Sequence, residues 1–153
     1  MTRTMFQTVA RIMGEGGNAA IVREYIGAIE RFDVEAVGRL LHPDVVQIER
    51  PNKLYAEGQT RGYDKMMADL PRGAKVLRKQ SYSITATYEA GDTVIVETRW
   101  EGIVNVSLGA LQPGDAMVAH ICMVITLRDG RVVRQVNYDC YEDFLGVAQR
   151  VPK

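Results

Sequence analysis

The sequence is poor in the residues that build staples and metal centres. It holds two cysteines, two histidines and one tryptophan in 153 residues. Cys122 and Cys140 form no Cys-x-x-Cys pair, and a domain of this size needs no disulfide. Free thiols in a reducing cytosol are expected, with a bond between adjacent strands as the alternative. His42 and His120 are too few for a His/Cys metal cluster, and no glycine-rich loop is present to cradle phosphate. No metal and no cofactor are therefore expected. No apolar run approaches the ~20 residues of a membrane-crossing helix. The opening stretch MTRTMFQTVARIM is too short and too polar for a signal peptide. A cytoplasmic protein without a membrane partner is the expectation.

Charge of one sign is missing too. Lys+Arg and Asp+Glu are both 19, so the formal net charge is zero. Nucleic-acid binding needs a basic surface, so no nucleic-acid partner is expected. The densest basic stretch, Arg72, Lys75, Arg78 and Lys79, reads as the solvated beginning of a strand. Apolar residues make up 46% and charged residues 25%, ordinary values for a globular chain. One domain over 1–153 is expected, with 1–17 as a short N-terminal extension that forms a helix stopped by Gly14, Gly16 and Gly17. A chain of this length can bury roughly 70% of its unfolded surface without covalent help.

Helical periodicity dominates the first half. Asn18 can cap a helix over about 18–32, in which Ile21, Val22, Tyr25, Ile26, Ile29 and Phe32 share a face. Asp33 caps a second helix, ended by Pro43. Residues 44–50 form a short β-branched strand and 51–62 a loop. A third helix over 62–70 ends at Pro71. Period-two alternation governs the second half. From Gln80, one face carries Tyr82, Ile84, Ala86 and Tyr88. Turns at Ala90-Gly91-Asp92 and Arg128-Asp129-Gly130 separate long strands over 93–106, 116–127 and 131–139, with EDFLGVAQ as a closing helical turn. The pattern is α+β: three helices that cover one face of a mostly antiparallel sheet. The strand AMVAHICMVITL is apolar on both faces, so a second copy of the chain is the simplest cover for its outer face.

The segments IVREYIGAIERFD, LLHPDVVQIERPN, VIVETRWEG and LRDGRVVRQVNYDCYEDF, in this order, resemble the nuclear-transport-factor-two-like superfamily, and within it the SnoaL-like polyketide cyclase branch. The resemblance covers about 18–148. It implies a cone-shaped α+β barrel, a pocket at the open end for a small apolar organic ligand, and homodimers paired through the sheet.

The resemblance also suggests site residues. In the ketosteroid-isomerase branch a helix-one tyrosine stabilises an oxyanion and a carboxylate ending the first strand is the base. Tyr25 and Glu49 stand at those places, but ICMVI lacks that branch's third acid, which argues against isomerase activity on a steroid-like ketone. Cyclases use a histidine and an aspartate; His120 resembles the first, and Asp139 lies near the place of the second, displaced by one residue. The epoxide-hydrolase branch has its acid where this chain has Asn137, which orients a substrate or a water but cannot act as a base. Glu97, Arg99 and Glu101 lie on one face of their strand, Val94, Val96 and Trp100 on the other; the sequence does not say which meets the pocket. The resulting set is His120, Asp139 and Glu49 as catalytic candidates, with Tyr25, Asn52, Tyr55, Trp100 and Asn137 as substrate-binding candidates. Five of them have a plain alternative: Tyr25 and Trp100 as core, Glu49 as a rim carboxylate, His120 as a hydrogen-bonded strand-end residue, Asn52 as a turn former. Two functions fit this set. One is a cofactor-independent acid–base enzyme acting on a small carbonyl compound, of cyclase, isomerase or dehydratase type. The other is a non-catalytic small-molecule-binding or scaffold protein.

Overall fold

The computed structural model describes residues 17–144. Helix α1 (Gly17–Glu30) comes first, followed by α2 (Val34–Leu40), strands β1 (Leu41–Glu49) and β2 (Gln59–Gly62), and α3 (Tyr63–Val76). Four long strands complete the chain: β3 (Leu77–Ala90), β4 (Thr93–Val104), β5 (Ala116–Arg128) and β6 (Arg131–Tyr141). They form one six-stranded sheet in the order β2-β1-β6-β5-β4-β3. β1 and β6 run parallel; every other neighbouring pair is antiparallel. The three helices cover one face, so the α+β reading holds, but β2 and β3 do not pair and the sheet is not closed into a barrel.

Burial explains the packing. Tyr25, Val22 and Ala19 on α1 are sealed against the sheet's inner face. That face is lined by Val94, Val96, Thr98 and Trp100 of β4 and by Met117, Ala119, Ile121, Met123 and Ile125 of β5. The question left open for β4 is thereby settled: Trp100 is inside, while Arg99 and Glu101 pair at 3.1 Å on the outer side. α1 ends with Phe32 in the left-handed region, φ 54°, and Asp33 then caps α2 by accepting from the Ala36 amide at 3.0 Å.

Five local expectations need correction. α2 ends at Leu40, and Pro43 lies within β1. The 51–62 loop contains β2, which pairs with β1 from Val46↔Gly62 to Glu49↔Gln59. Pro71 sits inside α3, which continues to Val76 because Met66, Met67 and Leu70 pack on the core while the rest of the helix faces solvent. On β3 a register shift between Ile84 and Ala86 turns the strand over, so Tyr82 points inward but Tyr88 is exposed and Glu89 buried. The 142–144 segment is not helical; the rest of the expected closing turn, and the N-terminal helix, lie outside the described residues. No helix among the described residues is long and apolar enough to cross a membrane.

Candidate active site on the inner face of the sheet

Strand β6 carries the site. Period-two geometry puts Gln135, Asn137, Asp139 and Tyr141 on its inner face, while Tyr138 and Cys140 are exposed on the other. The displacement of Asp139 suggested by sequence does not turn it outward. It shares a face with Asn137, and both look into the same interior. The parallel register sets Glu49 of β1 opposite Asn137. Glu49 is therefore one step from Asp139, near enough for its charge to act on the Asp139 carboxyl.

The environment separates the two acids. Glu49 is buried, and each oxygen accepts an amide N–H: Oε1 from Asn52 Nδ2 at 2.9 Å and Oε2 from Gln59 Nε2 at 2.7 Å. Asn52 does double duty, since its Oδ1 also accepts the Leu54 and Tyr55 amides and organises the loop. Gly58, at φ +68°, lets the chain fold back onto β1; a Cβ there would come within 2.4 Å of the Glu49 carbonyl oxygen. Asp139 is pushed up to about 6, mainly because burial removes water from its carboxylate, and further because the Glu49 charge lies nearby. Its hydrogen bond from Asn137 Nδ2, 3.3 Å, and the Arg61 charge oppose the rise.

A continuous polar chain leads away from the acids. Tyr25 donates to Gln135 Oε1 at 2.7 Å, Gln135 Nε2 donates to Asn137 Oδ1 at 2.7 Å, and Asn137 donates to Asp139. Tyr25 is fully buried at the closed end of this chain. Its hydroxyl is engaged with Gln135. Arg61 comes in from β2: its Nε and Nη2 both donate to Gln47 Oε1 and its Nη1 to Asp69 Oδ2 at 3.0 Å.

His120 is the main correction. It lies on the outer face of β5, its side chain 60% exposed, with Nε2 3.6 Å from the Glu142 carboxylate. The strand alternates, and Ala119 and Ile121 take the inward positions, so the imidazole cannot reach Asp139 or Glu49 through the sheet. Of the remaining candidates, Asn137 and Trp100 line the interior and Asn52 holds Glu49. Tyr55 is exposed beside this end of the site. Cys122 and Cys140 are free thiols; in the β5–β6 register they face Tyr138 and His120, not each other.

Sequence reasoning missed Gln59, Arg61, Gln135 and Tyr141. Gln59 and Arg61 were hidden because β2 was taken for loop. Counting by twos from Asn137 along β6 would have found Gln135 and Tyr141. A surface cleft of about 600 Å³ opens elsewhere, lined by Gly38, Pro43, Tyr63 and Lys65 among others. It touches none of the acid-cluster residues. The site is therefore placed by the convergence of its side chains, not by cleft size.

Three helices packed on a six-stranded mixed sheet are the architecture of the nuclear-transport-factor-two-like class. Within that class, the SnoaL-like domain profile matches residues 22–135, and the chain belongs to that family. Solved structures agree on the fold. IdmH of Streptomyces antibioticus, a candidate polyketide cyclase, superposes with a TM-score of 0.69 at 16% identity, covering 81% of this chain and 92% of its own. AclR of Streptomyces galilaeus, a candidate hydroxylase, gives 0.67 at 18% identity over 84% and 80% of the two chains. An epoxide hydrolase of M. tuberculosis gives 0.61 at 21% identity over 78% and 80%. No curated protein matches the sequence.

Proposed function

We propose that the protein is a cofactor-independent acid–base enzyme acting on a small, largely apolar carbonyl compound, with Glu49 and Asp139 as its working pair. The observation that carries this reading is the β1–β6 register, which sets buried Glu49 opposite Asn137 and so one step from half-buried Asp139 on the same inner face. Asp139 keeps its proton up to about pH 6, so it is the acid. Glu49, held between two amide donors, is the acceptor. In the forward step the bond between hydrogen and the carbon beside the carbonyl breaks, the proton goes to Glu49, and the electron pair moves onto the carbonyl oxygen. Asp139 then delivers its own proton to that oxygen or to a second atom of the conjugated system. Proton exchange between Glu49 and Asp139 returns the captured proton and resets the pair. Asn137 orients Asp139, and Trp100 supplies an apolar wall. Cyclisation, isomerisation and elimination can each start from this proton transfer, and a candidate cyclase is among the solved neighbours of the fold.

The test is hydrogen–deuterium exchange beside the carbonyl of 2-tetralone in D2O, followed by NMR. Glu49→Gln and Asp139→Asn should each slow catalysed exchange by roughly 100-fold or more. Ligand binding without exchange would assign the protein to the non-catalytic binders.

Pairing of two copies through the outer sheet face belongs to the same reading. Ile95 and Ile103 of β4 and Val118, Cys122 and Val124 of β5 are only half-buried there. Sedimentation should give a dimer at micromolar concentration, and Val124→Lys a monomer. A cytosolic setting fits the two free thiols.

A further inference from the structure

The end of the sheet that holds the acids is covered by chain outside the strands and helices. Glu49 is the last residue of β1, and Asp139 lies two residues before the end of β6. β1 runs parallel to β6, and β5 runs antiparallel to it. The loop after β1, the loop that joins β4 to β5 and the segment after β6 therefore meet at this one end. In that segment the Glu142 amide still donates to the Val118 carbonyl at 2.9 Å, and the chain then turns inward. Phe144 lies outside any regular element, yet it is only 4% exposed and belongs to the core. Its ring stands edge-on to Tyr141, centroids 6.0 Å apart, and Tyr141 stands edge-on to Trp100 in turn. Tyr141 is the next inward residue after Asp139, so Phe144 ends the row of side chains that leads from the acid to the end of the sheet.

Two loops fasten this segment. On the β4–β5 side the Ala110 amide donates to the Phe144 carbonyl at 2.7 Å. That loop folds on itself, with backbone bonds of 3.0 and 2.9 Å between Leu108 and Leu111, and rests both leucines on the core. On the β1–β2 side Lys53 Nζ lies 3.8 Å from Asp143 Oδ1. Lys53 follows Asn52, the residue that holds Glu49. The ring is thus buried by a short strap and not by a strand ladder. Both partners of the ion pair are partly exposed, and such pairs are weak. A segment held in this way opens at lower cost than the strands beside it.

We propose that Phe144 is the gate of the acid–base site: its ring fills the place through which a ligand reaches Asp139 and Glu49, and residues 142–144 swing aside when an apolar ligand enters. This rests on the Glu49–Asp139 reading and adds what controls access to it. A ligand that displaces the ring binds with an affinity reduced by the fraction of molecules whose gate is shut, so loosening the strap tightens binding.

The test is binding of 2-tetralone at low salt, followed by the fluorescence of Trp100, the single tryptophan. Lys53→Asp and Asp143→Lys each set like charges against one another and should tighten binding by roughly threefold. The double variant restores opposite charges and should return to within about 1.5-fold of wild type. Phe144→Ala removes the ring and should tighten binding by roughly tenfold, with acrylamide quenching Trp100 more readily. The two loop changes leave the core alone and carry the test if Phe144→Ala fails to fold. Loop variants that bind no more tightly than wild type, or a double variant that keeps the gain of the single ones, would overturn the gate and leave Phe144 as core packing. Failure of the Glu49–Asp139 reading shows up separately, as absent carbon-proton exchange in every variant while binding still follows the gate.

Discussion

Asp139 lies two residues beyond Asn137, the residue that faces Glu49 across the parallel β1–β6 ladder, and this spacing brings the two carboxyls together on the inner face. β1 and β6 are far apart in sequence, so only the sheet order makes the contact. Everything else in the site can be described by what it does to that pair: Asn52 and Gln59 hold Glu49, Asn137 holds Asp139, and the apolar walls withhold water.

Tyr25 is predicted to matter for stability more than for turnover. Tyr25→Phe leaves the buried Gln135 Oε1 without its 2.7 Å donor. An unsatisfied buried acceptor costs about 1–3 kcal/mol, so urea unfolding should show a loss of that size. Exchange at saturating ketone should change by no more than a few-fold.

His120→Ala is predicted to leave carbon-proton exchange within about twofold of wild type. The imidazole faces Glu142 on the outer side of the sheet. A loss comparable to that of Asp139→Asn would mean that the histidine reaches the acids after all.

Gly102 is predicted to control the position of Trp100. A Cβ at 102 would lie 2.6 Å from the edge of the indole and 2.9 Å from Leu77, so the ring must shift. Gly102→Val should therefore break the 2.9 Å bond from Trp100 Nε1 to Gln80 and cost about 1–3 kcal/mol by overpacking. Trp100 is the single tryptophan, so its fluorescence maximum reports the move directly.

Asp139 is predicted to make the fold less stable as pH rises. Its pKa is about 6 in the folded chain against 3.8 ordinarily. Below pH 4 both states hold the proton and there is no penalty. Between pH 4 and 6 the unfolded chain ionises first, and the folded state loses ground; above 6 the full cost is present. Two pH units correspond to about 3 kcal/mol at most. Asp139→Asn should thus match wild type near pH 3.5 and exceed it at pH 7, as measured by urea midpoints across the range.

Much of this was legible in the sequence. Helical spacing from Ile21 to Ile29 and strict alternation in β4 to β6 follow from one-sided burial, which leaves a local trace. The identities of Glu49, Asp139 and Asn137 could be picked out because polar groups stand out in apolar strands. Three things left no local trace. The four-residue β2 has no hydrophobic pattern, so Gln59 and Arg61 were lost with it. The shift at Ile84/Ala86 reverses the faces of β3 without any glycine to mark it. The side to which His120 points depends on the phase of alternation in β5, whose two faces are both apolar and therefore give no phase.

The central claim is that Asp139 and Glu49 form one interacting pair on the inner face of the sheet, and carbon-13 NMR titration of the Asp139 side-chain carboxyl measures this most directly. The account predicts a midpoint near pH 6 in the wild-type protein, displaced downward in Glu49→Gln once the neighbouring charge is removed. A midpoint close to 3.8 that does not respond to Glu49→Gln would contradict it.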